Sequence, residues 1–360
     1  MKILFEISHP AHVHQFKHVI WNLRNAGHEV KIVAREKDVA LQLLESYKLD
    51  YEKIGKSYGS LVQKAYGLLK TDYKLFKIAK EFKPDIFVSR GSPYSAHVSY
   101  LMRKPHIAFW DTECAVLNDL LSYKFTDVIC TPMCFRGNID PQKHIKYNGY
   151  KELAYLHPKY FNADPVVLEE IGISKDEKFI IMRFISWTAH HDIGLRGIKR
   201  GSELELVKSL EQYGRVYITS ERKLSGKLEK YRISILPEKI HSLLYYAQLY
   251  IGEGGTMAVE AAVLGTPSIH VESTSSGIAT GELSGNFLEL RNKYGLLYFY
   301  PDQNQALEKA INILENRNSK RKWKKKRKKL LEDKIDVTAW MTDFIERYPE
   351  SFYEYKRCSE

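Results

Sequence analysis

The 360 residues are about twice the ~100 to 200 of a usual domain, so two domains of similar size are expected. A composition of 44% apolar and 28% charged residues excludes disorder, collagen and coiled coil, and no stretch reaches the ~20 apolar residues that span a bilayer. The net charge is +11, yet nine basic residues sit in Lys320–Lys329, so the basicity is local.

Lys2 to Ile7 is an apolar, strand-like run that leads into Ser8-His9-Pro10-Ala11-His12-Val13-His14, with three His where a helix begins. Val13, Phe16, Val19, Ile20 and Leu23 fall on one face of a helix over His12 to Ala26, which stops at Gly27. A helix N-terminus favours anions and lowers the pKa of a nearby imidazole, so a neutral His here is a candidate base beside a phosphate. His12 is the first choice, with His9 and His14 as neighbours on the acceptor side. A metal cluster and plain helix capping are the other two readings of this loop.

Glu29 to Ala34 is the next strand. Val39 to Tyr47 (helix), Asp50 to Ile54 (strand), Leu61 to Phe82 (helix) and Asp85 to Ser89 (strand) follow. The last of these ends in Ser89-Arg90-Gly91-Ser92-Pro93, where small residues around one Arg suit close approach of a phosphate or sugar, so Arg90 and Ser92 join the acceptor side. Ser95 to Met102 (helix) and His106 to Trp110 (strand) lead to Asp111-Thr112-Glu113. Two carboxylates two apart can act as base, acid or acceptors of sugar hydroxyls; a helix cap is the plainer role of Asp111. Leu117 to Phe125 (helix) and Asp127 to Thr131 (strand) complete a β-α-β-α order that implies a parallel sheet covered on both faces. The four cysteines, Cys114, Cys130, Cys134 and Cys358, are too few to staple this chain, and Cys130-x3-Cys134 lacks two further ligands nearby. Reduced thiols and no metal are expected.

The alternation lapses between Pro132 and about Asp176, then restarts with Lys178 to Phe184 as a strand. After it, Arg183 to Asp192 is dense in polar side chains, and Arg183, His190 and His191 could recognise phosphate; an ordinary surface loop is the plainer reading. Gly201 to Tyr213 (helix), Arg215 to Thr219 (strand), Ile240 to Tyr246 (helix) and Leu249 to Gly252 (strand) precede Gly252-Glu253-Gly254-Gly255-Thr256. Met257 to Leu264 (helix), Gly265-Thr266-Pro267 and the strand Pro267 to Val271 come next. Strand, glycine turn and helix N-terminus make the geometry for a diphosphate, and Glu260, one turn into an apolar helix, can accept from ribose hydroxyls. Gln303 to Leu331 reads as one long helix, and Thr338 to Tyr348 as a last amphipathic segment.

The fold class is therefore α/β, with two Rossmann-like, doubly wound domains and an interdomain cleft. Residues 1–160 form the first domain and 161–334 the second, with a C-terminal helix over 335–360 packing back on the first.

These loops resemble the GT-B glycosyltransferase superfamily and its relative, the non-hydrolysing UDP-N-acetylglucosamine 2-epimerase. Over nearly the whole chain the sequence resembles the domain-of-unknown-function 354 family, through SHPAHVH, DTE, GYKELAYLHP and E-G-x-T-M-x-x-E-A-x-x-L-G-T-P. Gly254, Glu260, Gly265 and Pro267 match the G-x5-E-x4-G-x-P motif of the lipid-linked N-acetylglucosaminyltransferase of peptidoglycan synthesis, which implies that Glu260 holds the ribose of UDP. His12 lies at the matching distance from Gly27 and inherits the base role, although Ser8 to Ala11 has none of that loop's glycines. In the epimerase comparison Glu113 and His190 correspond to its acidic residue and its donor-loop His. Its G-D-T is replaced by Gly91-Ser92-Pro93 and its H-R-x-E-N by His190-His191-Asp192.

The resemblance implies a metal-independent, inverting glycosyltransferase that needs no cofactor and uses a UDP-sugar. The donor would sit on Arg183, His190, Gly254, Gly255, Thr256 and Glu260, with His12, Asp111 and Glu113 as catalytic candidates and His9, His14, Arg90 and Ser92 on the acceptor side. An epimerase is the alternative, and a non-catalytic nucleotide or nucleic-acid binder the next. Cytoplasmic placement is expected, extending to the inner membrane face if Lys320–Lys329 meets anionic lipid and the acceptor is lipid-linked; a solvated helix face is the plainer reading of that run, and nucleic acid the least favoured.

Overall fold

A computed structural model describes residues 1–56, 61–113, 120–174, 176–187 and 194–357, with the side chains of 61–65 outside the description. The chain divides into two compact units, Met1–Tyr155 with Ile335–Glu360, and Leu156–Lys334.

Among the described residues, the first unit holds a seven-stranded parallel sheet in the order β3-β2-β1-β4-β5-β6-β7. Its strands are β1 (Lys2–Ile7), β2 (Glu29–Glu36), β3 (Glu52–Lys56), β4 (Ile86–Ser89), β5 (His106–Phe109), β6 (Val128–Pro132) and β7 (His144–Tyr147). The central strands are buried on both faces, as their near-continuous apolar runs require. Strand order reverses between β1 and β4, so the loops after these two strands flank the crevice where doubly wound sheets take ligands.

The helix Pro10–Asn25 follows β1 and buries Val13, Phe16, Val19, Ile20 and Leu23. Helix Val337–Glu346 packs against it and completes the same core with buried Trp340, Met341 and Phe344. Trp340 stacks on Tyr147 at 4.7 Å, and the Thr338 hydroxyl donates to the Ala154 carbonyl at 2.6 Å.

The second unit holds a five-stranded parallel sheet among the described residues, in the order β12-β11-β10-β8-β9. The strands are β8 (Phe179–Phe184), β9 (Arg215–Ser220), β10 (Leu249–Gly252), β11 (Ser268–Val271) and β12 (Leu297–Tyr300). Here the order reverses between β8 and β10.

Several elements depart from the sequence reading. The helix predicted over Gln303 to Leu331 is two helices, Gln303–Glu315 and Ser319–Asp333, because Asn316 leaves helical geometry at φ −78°, ψ 100°. β7 and β12 form where no regular element was expected, and the C-terminal helix expected over 335–360 is two helices, Val337–Glu346 and Glu350–Arg357. The strand predicted over Asp50 to Ile54 lies at Glu52–Lys56. Of the helix predicted over Leu117 to Phe125, residues 117–119 lie outside the described residues and Tyr123–Phe125 form one tight turn.

The basic run is also built differently from a uniformly solvated face. Trp323 is buried, with Nε1 donating to the Leu296 carbonyl at 3.0 Å, so the indole is a core side chain and not an interfacial one. Lys320 donates to the Tyr246 carbonyl at 3.0 Å and Lys326 to that of Gly295 at 2.6 Å. Arg327 donates to Val263 at 2.9 Å, closing the C-terminal end of helix Gly255–Leu264. Arg321, Lys322, Lys324, Lys325, Lys328 and Lys329 remain exposed.

Candidate functional site

In the second unit, the ends of β8 and β10 carry the loops at the reversal of strand order. Gly254 turns with φ +82°, and a Cβ there would stand 2.9 Å from Cγ2 of Ile185, so glycine is required by both angle and space. It is the N-cap of helix Gly255–Leu264, and it supplies no side-chain cap. The first-turn N–H groups of Gly255 and Thr256 therefore have no intrahelical partner and, among the described residues, no capping side chain, and both residues are partly exposed.

Glu260 lies on the next turn, buried, with Oε1 3.0 Å from Nε2 of His241 on helix Ile240–Tyr246. Arg183, near the end of β8, pairs with Glu221 just beyond β9. His190 lies outside the described residues.

Glu253, between β10 and Gly254, is fully buried. Its Oε2 accepts the N–H of Ile185 at 2.9 Å and its Oε1 that of Ile198 at 2.9 Å, so one carboxylate fastens two backbone positions beside the helix N-terminus. Burial raises its pKa to about 7 against those two bonds, the nearby Arg222 charge and the Trp187 side chain, all of which favour the ionised form.

In the first unit, the loops after β4, β5 and β7 are joined by polar contacts. Arg90 pairs with Asp111, and Lys151 bridges Asp111 at 2.5 Å and Glu152 at 2.7 Å. All four side chains are buried or nearly so, and two positive charges face two negative ones. Gly91, at φ +67°, lies under Trp110; a Cβ would meet its ring at 2.5 Å. Ser92 donates its N–H to Ser89 Oγ at 3.0 Å, and Ser89 Oγ lies 2.8 Å from Nε2 of His106. His106 is pushed down to about 3 by burial, so it is a neutral fastener of the β4 loop.

His12 accepts the Ser8 N–H at Nδ1, 3.2 Å away. Burial, then the Arg90 and His9 charges, hold its pKa well below the usual histidine range. The neutral ring thus carries its proton on Nε2. His9 caps the helix through Nδ1, which accepts from Ala11 N–H at 3.2 Å, and its ring lies 5.8 Å from that of His12. His14 is buried and stacks on Tyr155 at 5.3 Å. Glu113 is partly exposed, with Oε1 3.4 Å from Arg136 N–H.

Sequence reasoning missed Glu6, Lys151, Glu152, Glu221 and Glu253 as members of these sites. Glu6 is fully buried in β1, takes the Ser8 hydroxyl, and has its pKa raised by burial. A lone acid inside an apolar strand was the available signal for it, since a buried carboxylate needs partners. Lys151 and Glu152 lie in the GYKE segment.

Comparison with known proteins agrees with the fold. The family model described as protein of unknown function (DUF354) matches residues 1–342. An uncharacterised protein of Methanocaldococcus jannaschii is 24% identical over 285 residues, 75% of this chain and 81% of the relative. Among solved structures, the spinosyn forosaminyltransferase SpnP superposes with TM-score 0.64 at 14% identity, covering 97% of this chain and 98% of its own. The M. jannaschii UDP-GlcNAc 2-epimerase in complex with UDP-GlcNAc and UDP gives TM-score 0.62 at 14% identity, covering 88% and 93%. The fold is GT-B, the fold of glycosyltransferases and UDP-GlcNAc 2-epimerases.

Proposed function

The chain belongs to the DUF354 family, and on that premise we propose that it is an enzyme that binds a nucleotide-sugar, a UDP-sugar, and transfers the sugar to an acceptor with inversion and without a metal. The observation that carries this reading is the uncapped helix N-terminus at Gly254, Gly255 and Thr256, placed at the reversal of strand order with Glu260 one turn further on. In this reading the diphosphate sits on those N–H groups and on Arg183, and the helix dipole stabilises the leaving diphosphate. Glu260 accepts from the ribose through the carboxylate that His241 orients. His190 is kept as a phosphate contact.

The first unit takes the acceptor, with Arg90, Ser92, His9 and His14 on its side. His12, Asp111 and Glu113 are its candidates for the chemical step. Asp111 already faces Arg90 and Lys151, and His12 presents Nε2–H, so His12 enters as a hydrogen-bond donor to the reacting oxygens unless its bond to Ser8 is broken.

UDP should raise the melting temperature of the protein. Glu260→Gln, which can still pair with His241, should lower UDP affinity about tenfold or more, because a hydrogen bond to a charged group contributes roughly 1.5 to 3 kcal/mol. Equal affinity by calorimetry in the folded variant would remove Glu260 from the donor site. The second reading is epimerisation of UDP-N-acetylglucosamine, favoured by the match to the epimerase bound to UDP-GlcNAc and UDP. Incubation with UDP-N-acetylglucosamine alone separates the two, since only an epimerase forms a new isomer without an acceptor.

An anionic membrane surface is the proposed partner of the six exposed cations on helix Ser319–Asp333, which would bring a lipid-linked acceptor near. Without an available indole the contact is purely electrostatic. Co-sedimentation should therefore need anionic lipid and vanish as salt shortens the Debye length below ~10 Å. Equal binding to neutral vesicles would leave the run as a solvated face.

A further inference from the structure

Glu221 follows β9 directly, and its N–H is anchored to the Phe184 carbonyl at 3.0 Å, which places it beside the end of β8. Three donors converge on its carboxylate. Arg183 Nη2 pairs with Oε1, while Ser186 N–H and Ser186 Oγ approach Oε2 at 3.2 and 3.3 Å. A guanidinium, a backbone N–H and a hydroxyl around one anion make a donor set that fits phosphoryl oxygens as well as a carboxylate.

The two acids that hold this loop differ in one respect. Glu253, on Ile185 N–H, is fully buried. The Glu221 side chain is 44% exposed and Arg183 21%, so their pairing is a surface ion pair that contributes little and can be exchanged.

We propose that Arg183 and Ser186 form an anion pocket and that Glu221 is its resident occupant, displaced when a phosphate of the ligand enters. The proposal rests on the nucleotide-sugar reading for the identity of the ligand, but not for the existence of the pocket. Glu221 is then a built-in competitor that weakens donor binding. A singly charged carboxylate that is tethered nearby yields to a diphosphate, which carries more charge and more acceptor oxygens. After displacement its negative charge stays close to the phosphates and opposes them.

The test is isothermal titration of the full chain with UDP and, separately, with inorganic pyrophosphate. Glu221→Gln and Glu221→Ala are compared with the parent, and thermal unfolding confirms that each is folded. Loss of the charge should tighten binding of both probes by about tenfold, the opposite of what loss of a ligand-holding or structural residue does. In an Arg183→Gln background the gain should disappear. Affinity for both probes that is unchanged or weaker in both Glu221 variants overturns the proposal, while UDP binding by the parent chain would keep the nucleotide-sugar reading. Tighter pyrophosphate binding with no response to UDP would support the pocket and sink that reading. No binding of either probe to any of the proteins would overturn both.

Discussion

Lys151→Met is expected to lower stability by about 3 to 5 kcal/mol, the usual consequence of removing one partner from a buried ion pair. The lysine bridges two carboxylates, at 2.5 Å to Asp111 and 2.7 Å to Glu152, and Glu152 is fully buried. Without it, Arg90 alone faces both carboxylates, and one negative charge is left uncompensated in a region from which water is excluded. For a unit of this size the loss corresponds to roughly 10 °C in melting temperature, measurable by calorimetry. Adding Glu152→Gln to the same chain should restore part of the loss, because the orphaned charge is then gone. Equal unfolding midpoints for parent and Lys151→Met would mean that the four charges do not act as one network.

His12→Ala is expected to reduce turnover by about 10² or more while leaving UDP affinity nearly intact, as for a group that acts in the chemical step. The pKa of His12 is depressed, so the ring stays neutral below the pH at which an ordinary histidine takes a proton. Activity should therefore not decline between pH 6.5 and pH 6 on its account. The bond from Ser8 N–H to Nδ1 separates two roles. If Nε2–H donates, His12→Gln retains a donor and should recover part of the rate; if the ring is a base, both variants are equally poor. A loss confined to UDP affinity would move His12 out of the chemical step.

The alternation of strands and helices was legible because each element carries its own period, and helix Pro10–Asn25 is the clear case, with five apolar residues on one face. β7 was not, since HIKY puts His and Lys among its four residues inside the stretch where the alternation lapses, and β12 was not, although LYFY is as apolar as the four-residue strands that were read. The glycine turn before helix Gly255–Leu264 was legible from composition, because few residue types tolerate a φ of +82°. Pairings were a different matter. Arg183 meets Glu221 only because β8 and β9 align Phe184 with Ser220, and Asp111 meets Lys151 forty residues away; register and tertiary contact leave no mark on local sequence. The burial of Trp323 was not legible either, because nine cations around it outweigh the helical spacing of Lys320, Trp323, Arg327 and Leu330, the positions that turn inward.

The return of Ile335–Glu360 to the first unit bears on the order in which the molecule can be made. A ribosome releases Met1–Tyr155 long before Val337–Glu346, and until that helix arrives Tyr147 lacks the stacked Trp340 and the Ala154 carbonyl lacks the Thr338 hydroxyl. The second unit, Leu156–Lys334, is continuous in sequence and can close its core as soon as it has emerged. The first domain to be synthesised is thus the last to be completed, and for that interval the apolar side of helix Pro10–Asn25 that Val337–Glu346 will cover stays open to chaperones, or to neighbouring chains on the same message.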